Sequence, residues 1–264
     1  MNLHKSILST FCLLVLASLM WPIVYAMWMS FTPGEMLLPP KGVWSLRWYE
    51  AFFARSEWTD SLYHSLSVGG LATAISLVCG TTAAVAVTRH QFPGRQILQS
   101  AVMLPLFIPA LVLAMALLPV MRTIGLWGSL VSVALAHSLW GMPLVFQAVK
   151  GALEDMDPNL DLAAHGLGAG GTQTFFMVTL PTILPAIGVG GLLAFIVSFN
   201  ELVMALFLCT PAIETLPKVI WPNLRYTLSP LVAAASGVAV LVTVLLLVGV
   251  WLLLGRRREE TPIR

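Results

Sequence analysis

Long uninterrupted apolar stretches constrain this chain more than anything else in it. Six can be counted, over residues 7–29, 62–87, 97–121, 126–146, 183–208 and 231–254. Each is long enough for a helix across a hydrocarbon core about 30 Å thick. Lipid offers the backbone no hydrogen bonds, and a helix satisfies its own. With 58% of its 264 residues hydrophobic, 10% charged and a mean hydropathy of +0.88, the chain carries too much apolar surface for a water-soluble domain to hide. The expectation is an all-α, polytopic membrane protein with six transmembrane helices in a single domain, 1–264. The 7–29 stretch is too long for the core of a typical signal peptide and reads as an uncleaved first span. A formal net charge of +2 gives no reason to expect a nucleic-acid partner.

The spans differ in what interrupts them. Pro22 predicts a kink in the first. Trp44, Trp48, Ala51 and Phe52 share one helical face, which fits a short helix in the membrane interface or one covering the ends of the spans. The second span is rich in small residues, including Gly69, Gly70, Gly80, Ala83 and Ala84, and belongs at the centre of a bundle where backbones approach closely. Arg89, His90 and Arg95 make a compact basic loop. Pro105 and Pro109 predict breaks in the third span, and Trp140-Gly141-Met142-Pro143 a break in the fourth. Gly188-Val189-Gly190-Gly191 reads as close packing in the fifth. Thr215 is placed to cap a short helix after it.

Chemistry-bearing motifs are sparse. The chain has no G-x-x-x-x-G-K-[ST], no H-E-x-x-H and no G-x-S-x-G, so neither a phosphate loop nor a familiar catalytic or metal constellation is present. Cys12, Cys79 and Cys209 lack metal-ligand spacing and read as small core residues. His64, His137 and His165 stand far apart and read as packing. Asn200 and Glu201 close the fifth span. A carboxylate there is costly, so Glu201 is a candidate for a solute path or, equally, for a hydrogen-bonded structural role.

The most informative polar stretch is 150–181. Asp157 is placed as an N-cap with Pro158 at the first helical position. Leu160, Ala163, Ala164 and Leu167 recur at helical spacing, Gly166 and Gly168 end the run, and Thr172 is placed to start a second short helix. Pro181 and Pro185 mark the start of the next span. This run resembles the cytoplasmic coupling loop of binding-protein-dependent ABC import permeases. The family pattern is Glu-Ala-Ala, a glycine some four residues on, and a Leu-Pro ending. Ala163, Ala164, Gly168, Leu180 and Pro181 match it. The glutamate does not: Leu162 occupies its place, and Asp161 is adjacent. One residue turns a helix by about 100°, so Asp161 is not a simple replacement.

A second run, Ser198-Phe199-Asn200-Glu201 through Ser229-Pro230, is similar to the second permease of spermidine/putrescine-type importers, as is Leu46-Arg47-Trp48-Tyr49. The resemblance implies a type I ABC importer permease fold in a bacterial inner membrane, with both termini cytoplasmic. It implies a heterodimer with a second permease, two ATPase subunits carrying ATP and magnesium, an extracytoplasmic binding protein, and lipid around them. This chain would be a transport subunit, with no cofactor or metal of its own. Relatives in that group take polyamines, opines, 2-aminoethylphosphonate and other small solutes. The rival readings are an ion-coupled transporter using Glu201 and an intramembrane enzyme. Inverted repeats are not evident for the first, and no catalytic pair for the second.

Overall fold

The structure, a computed structural model, describes residues 2–259, with side chains described for 7–252. The side chains of Lys5 and of the Arg256–Arg258 cluster lie outside the described residues. Helix follows helix: α1 (Asn2–Met29), α2 (Arg47–Ala54), α3 (Ser56–Arg89), and α4 (Arg95–Met103) running into a 3-10 turn (Leu104–Phe107). Then come α5 (Ala110–Thr123), α6 (Leu130–Asp155), α7 (Asn159–Gly166), and α8 (Gly171–Thr174), which passes through a π turn (Phe175–Thr179) into α9 (Leu180–Phe199). α10 (Val203–Leu208), α11 (Leu216–Tyr226) and α12 (Pro230–Glu259) complete the chain. Contacts divide it into two compact units, Met1–Asp60 with Val219–Val244 and Ser61–Lys218 with Leu245–Arg264.

Among the described residues five single helices are long and apolar enough to cross a membrane: Ile7–Met29, Ser56–Arg89, Leu130–Asp155, Gly171–Phe199 and Pro230–Leu252. The third expected span is a broken one: Arg95–Phe107 and Ala110–Thr123 are long and apolar enough only as a pair, which makes six spans if the pair is counted as one. The two meet at 107°. The bend sits at Ile108, which precedes a proline and is extended (φ −94°, ψ 127°), and at Pro109 (ψ 137°). A residue before proline is pushed out of the α region, so the corner is local chemistry. Elsewhere proline leaves the helix continuous. α1 runs through Pro22, and α6 runs through Pro143 without a break. The fifth span begins at Gly171, ahead of Pro181, so the second short helix, α8, is continuous with it. Leu180 N–H reaches back to the carbonyl of Phe175, a widened turn immediately before a residue that has no N–H to donate.

In the second unit, α6 is the central helix. Its N-terminal half joins Val68 and Ala72 of α3, Leu113 and Ala114 of α5, and Met204 and Leu208 of α10 in one apolar cluster. Its C-terminal half joins Ala84 and Val87 of α3, Val102 of α4 and Ile183 of α9 in another. Between them the backbones close up. A Cβ at Gly190 would sit 2.9 Å from the Cα of Val145, and one at Gly80 would sit 2.8 Å from the carbonyl oxygen of Met142. Gly80 and Gly190 therefore do what the composition of the second and fifth stretches implied. Thr215 does not: its hydroxyl has no hydrogen-bond partner, and the N–H of Leu216 instead donates to Ser65 Oγ at 2.7 Å.

In the first unit, α2 packs one face inward. Trp48 and Phe52 are buried, and the rings of Phe52 and Trp58 meet at a tilt of 50° with centroids 5.9 Å apart. Trp44 is exposed and lies ahead of α2, against Phe31, so it does not share that face. Of the cysteines only Cys209 is a core residue; Cys12 and Cys79 are exposed on helices whose outer surface is apolar. Burial pushes the Cys209 thiol up to about 11, the nearby Lys218 ammonium opposing the shift.

Two glycines separate close packing from mere composition. Gly190→Leu is expected to force α9 off α6 and cost about 1–3 kcal/mol. Gly70 has nothing within 4 Å of where a Cβ would lie, so Gly70→Ala is expected to be neutral or slightly stabilising. Thermal unfolding of both variants in the same detergent checks the contrast.

Candidate functional site

The 157–181 segment is built as its residues require. Asp157 Oδ1 accepts from the N–H of Asn159 at 2.9 Å, and Pro158 already has helical angles. At the other end Gly168 has φ +88°, the N–H of Gly168 donates to His165 O, and the N–H of Ala169 donates to Ala164 O, both at 3.0 Å. This pair of bonds is a Schellman ending, and it needs a left-handed residue where Gly168 stands. The His165 ring adds a contact of 2.9 Å between Nδ1 and the Ala169 carbonyl. The loop beyond α7 is thus ordered by its own hydrogen bonds.

α7 buries none of its residues. Leu162 is 66% exposed and Leu167, just past the helix, 91%; Leu160 and Ala163 are exposed as well, and Ala164 is half-buried. A hollow of about 260 Å³ lies beside them, bounded by Ala164, Gly168, Thr174 and Met177 among others. Leu180 is half-buried and Pro181 exposed. Asp161 faces the other way. Its Oδ2 lies 3.1 Å from Nη1 of Arg89, and its Oδ1 accepts from Thr179 Oγ1 at 3.3 Å. The expected basic loop is therefore divided. Arg89 is turned onto Asp161, while Arg95 Nη1 donates to Gln91 Oε1 at 3.1 Å.

Asn200 and Glu201 lie beyond α9. Asn200 is exposed, its Nδ2 donating to Ile196 O at 2.8 Å. Glu201 is 6% exposed, and its carboxylate caps α10, accepting from the N–H groups of Val203 at 3.0 Å, Met204 at 2.8 Å and Ala205 at 3.4 Å. An anion at a helix N-terminus meets both orphan donors and the favourable end of the dipole. Behind it stands His137, fully buried on α6. His137 Nδ1 is 2.8 Å from Ser198 Oγ, and Nε2 is 3.4 Å from Glu201 Oε2, a distance of ionic contact without hydrogen-bond alignment. No spacing signal links His137 to Ser198 and Glu201; only the packing of α6 on α9 and α10 does. Among the described residues no group of His, Cys, Asp or Glu is arranged to hold a metal ion.

An exposed short helix thus lies between two helices long enough to cross a membrane, with its single carboxylate tied inward. Comparison with known proteins gives the family. The sequence model of the binding-protein-dependent transport system inner membrane component matches residues 76–259. The spermidine/putrescine permease PotC of Haemophilus influenzae is 28% identical over 91% of this chain and 93% of its own. The putrescine permease PotI of Escherichia coli is 30% identical over 78% and 76%. The trehalose permease SugB of Mycobacterium tuberculosis is 31% identical over 65% and 63%. Among solved structures, a bacterial alginate ABC transporter in complex with its pentasaccharide-bound periplasmic protein has a chain that superposes with a TM-score of 0.72 over 100% of both chains, at 17% identity. The methionine transporter MetNI gives 0.63 over 81% of this chain and 98% of the other, also at 17% identity. The chain belongs to the binding-protein-dependent ABC importer permeases. It is a multi-pass inner-membrane transport subunit.

Two substitutions test the site's construction. At Gly168 the constraint is backbone alone, since a Cβ there would meet nothing within 4 Å. Gly168→Asn is expected to be tolerated, because Asn visits the left-handed region, whereas Gly168→Val is expected to abolish transport at normal membrane expression. Quantitative uptake against membrane abundance distinguishes them. At Glu201, truncation leaves buried N–H groups without an acceptor. Glu201→Ala is expected to cost about 1–3 kcal/mol in detergent unfolding, and Glu201→Gln, which keeps one acceptor oxygen, less.

Proposed function

We propose that this chain is the second permease of a polyamine importer. It pairs with a related permease, receives solute from an extracytoplasmic binding protein, and is driven by two ATPase subunits that carry the ATP and magnesium. Both termini lie in the cytoplasm, on the side of α7. The relatives named for spermidine and putrescine support the solute class, since PotC aligns over nearly the whole chain whereas SugB aligns over about two-thirds.

The observation that carries the coupling role is the exposed face of α7. Leu162 stands where an acidic residue is usual in the family, and Asp161 is engaged with Arg89. The surface offered to an ATPase cleft is therefore apolar, with Ala163 and Ala164 allowing close approach, Gly168 setting the turn, and Leu180-Pro181 joining the loop to the membrane helix. ATP-driven closure of the ATPases moves this loop, and the spans alternate access to a central path. Of the two residues ending the fifth span, Asn200 is the one open to solute; Glu201 holds the backbone behind it.

Burial of Leu162 in the cleft contributes about 1.5–3 kcal/mol if complete. Leu162→Asp is accordingly expected to weaken retention of the ATPase in co-purification while leaving the permease pair intact. Unchanged retention removes Leu162 from the contact. The chain alone in liposomes is expected to take up no putrescine under an ion gradient; uptake there would replace ABC import with ion coupling.

A further inference from the structure

Arg89, the last residue of α3, reaches two other parts of its unit. Nη1 lies 3.1 Å from Asp161 Oδ2 on α7, and Nη2 donates to the sulfur of Met156, immediately after α6, at 3.2 Å. The second oxygen of Asp161 accepts from Thr179 at 3.3 Å, where the π turn meets α9. One carboxylate thus gathers the end of α3 and the start of α9 onto α7. The two charged side chains are 22% and 21% exposed, deep enough for solvent to screen them less than a surface pair. Arg89 Nε is buried with no hydrogen-bond partner among the described residues. Removing Asp161 would leave that guanidinium uncompensated.

We infer that Arg89 and Asp161 form a clasp that carries displacement of α7 directly into α3. Both are positioning residues, and Asp161 spends its charge inside the chain instead of on the ATPase. This rests on the reading of α7 as the helix that meets the ATPase. An eight-residue helix is too short to hold itself in water, and this one buries no residue. It is flanked by non-helical backbone at Met156 (ψ 130°) and Gly170 (ψ 162°), where a push on Leu162 would dissipate as bending. The clasp bypasses both joints. α3 then bears on α6 at Gly80, where Met142 and Val145 leave no room for slack.

The test uses the full chain, co-expressed with its partner permease and ATPase, carrying Arg89→Gln, Asp161→Asn, or the exchanged pair Arg89→Asp with Asp161→Arg. Amide hydrogen exchange over residues 157–170 reports the clasp. Putrescine delivered per ATP hydrolysed, with the binding protein present, reports transmission. Each single variant is expected to retain the ATPase, exchange faster over 157–170 and deliver roughly tenfold less putrescine per ATP, the equivalent of about 1.4 kcal/mol. The exchanged pair is expected to recover most of both, which independent structural damage would not do. Unaltered exchange in the single variants overturns the clasp, and so does an exchanged pair worse than either. Faster exchange with undiminished putrescine per ATP overturns transmission, leaving a structural tie. An unsubstituted complex that retains no ATPase overturns the coupling reading itself, and transmission with it, whatever the exchange rates.

Discussion

Close approach of α6 to α3 and α9 is the constraint on which the rest of the second unit depends. Lipid tails are as apolar as leucine, so helices in a membrane gain little from merely hiding hydrophobic surface; packing must hold them together. Here three glycines remove the side chains that would keep the backbones apart. Gly141 on α6 lies against Ser76 of α3 and Ala194 of α9, Gly80 on α3 against Met142, and Gly190 on α9 against Val145. Fixing the three helices at this spacing also fixes their ends. One consequence is that Arg89, at the end of α3, reaches the loop after α6. Another is that His137, within α6, reaches the end of α9.

Those two junctions handle buried charge in different ways. Glu201 spends its carboxylate on the backbone of α10, with His137 as a second neighbour, so a costly group becomes a helix cap. Asp161 spends its carboxylate on Arg89 and Thr179, so a charge on a water-exposed helix is withdrawn from the surface. The face left outward on α7 is leucine and alanine. A partner seated there meets shape and apolar area, not an ion pair.

Proline shows how far local chemistry carries. Pro109 turns the chain through a corner because the α region is disfavoured for Ile108 before it, and Ile108 and Pro109 both take extended ψ. Pro143 has the same ring and the same missing N–H, yet α6 passes through it. Gly141, two residues earlier, is held on one side by α3 and on the other by α9, and neighbouring helices override the local preference. Pro181 falls between these cases: the helix persists, and the turn before it widens to a π turn.

The apolar stretches by themselves determined that this is a helical membrane protein, because lipid leaves a long hydrophobic segment no other way to satisfy its backbone. Asp157, Pro158 and Gly168 determined the ends of α7, since capping and a positive φ are properties of single residues and their nearest neighbours. The alanine pair and Leu-Pro determined the family. What sequence could not decide was every contact made between distant segments. Whether Asp161 points toward a partner or toward Arg89, whether Glu201 meets solute or caps α10, and whether His137 is alone or paired all depend on which helices pack together and how closely. Those are sums over many weak contacts across the bundle, and no short stretch of residues encodes them.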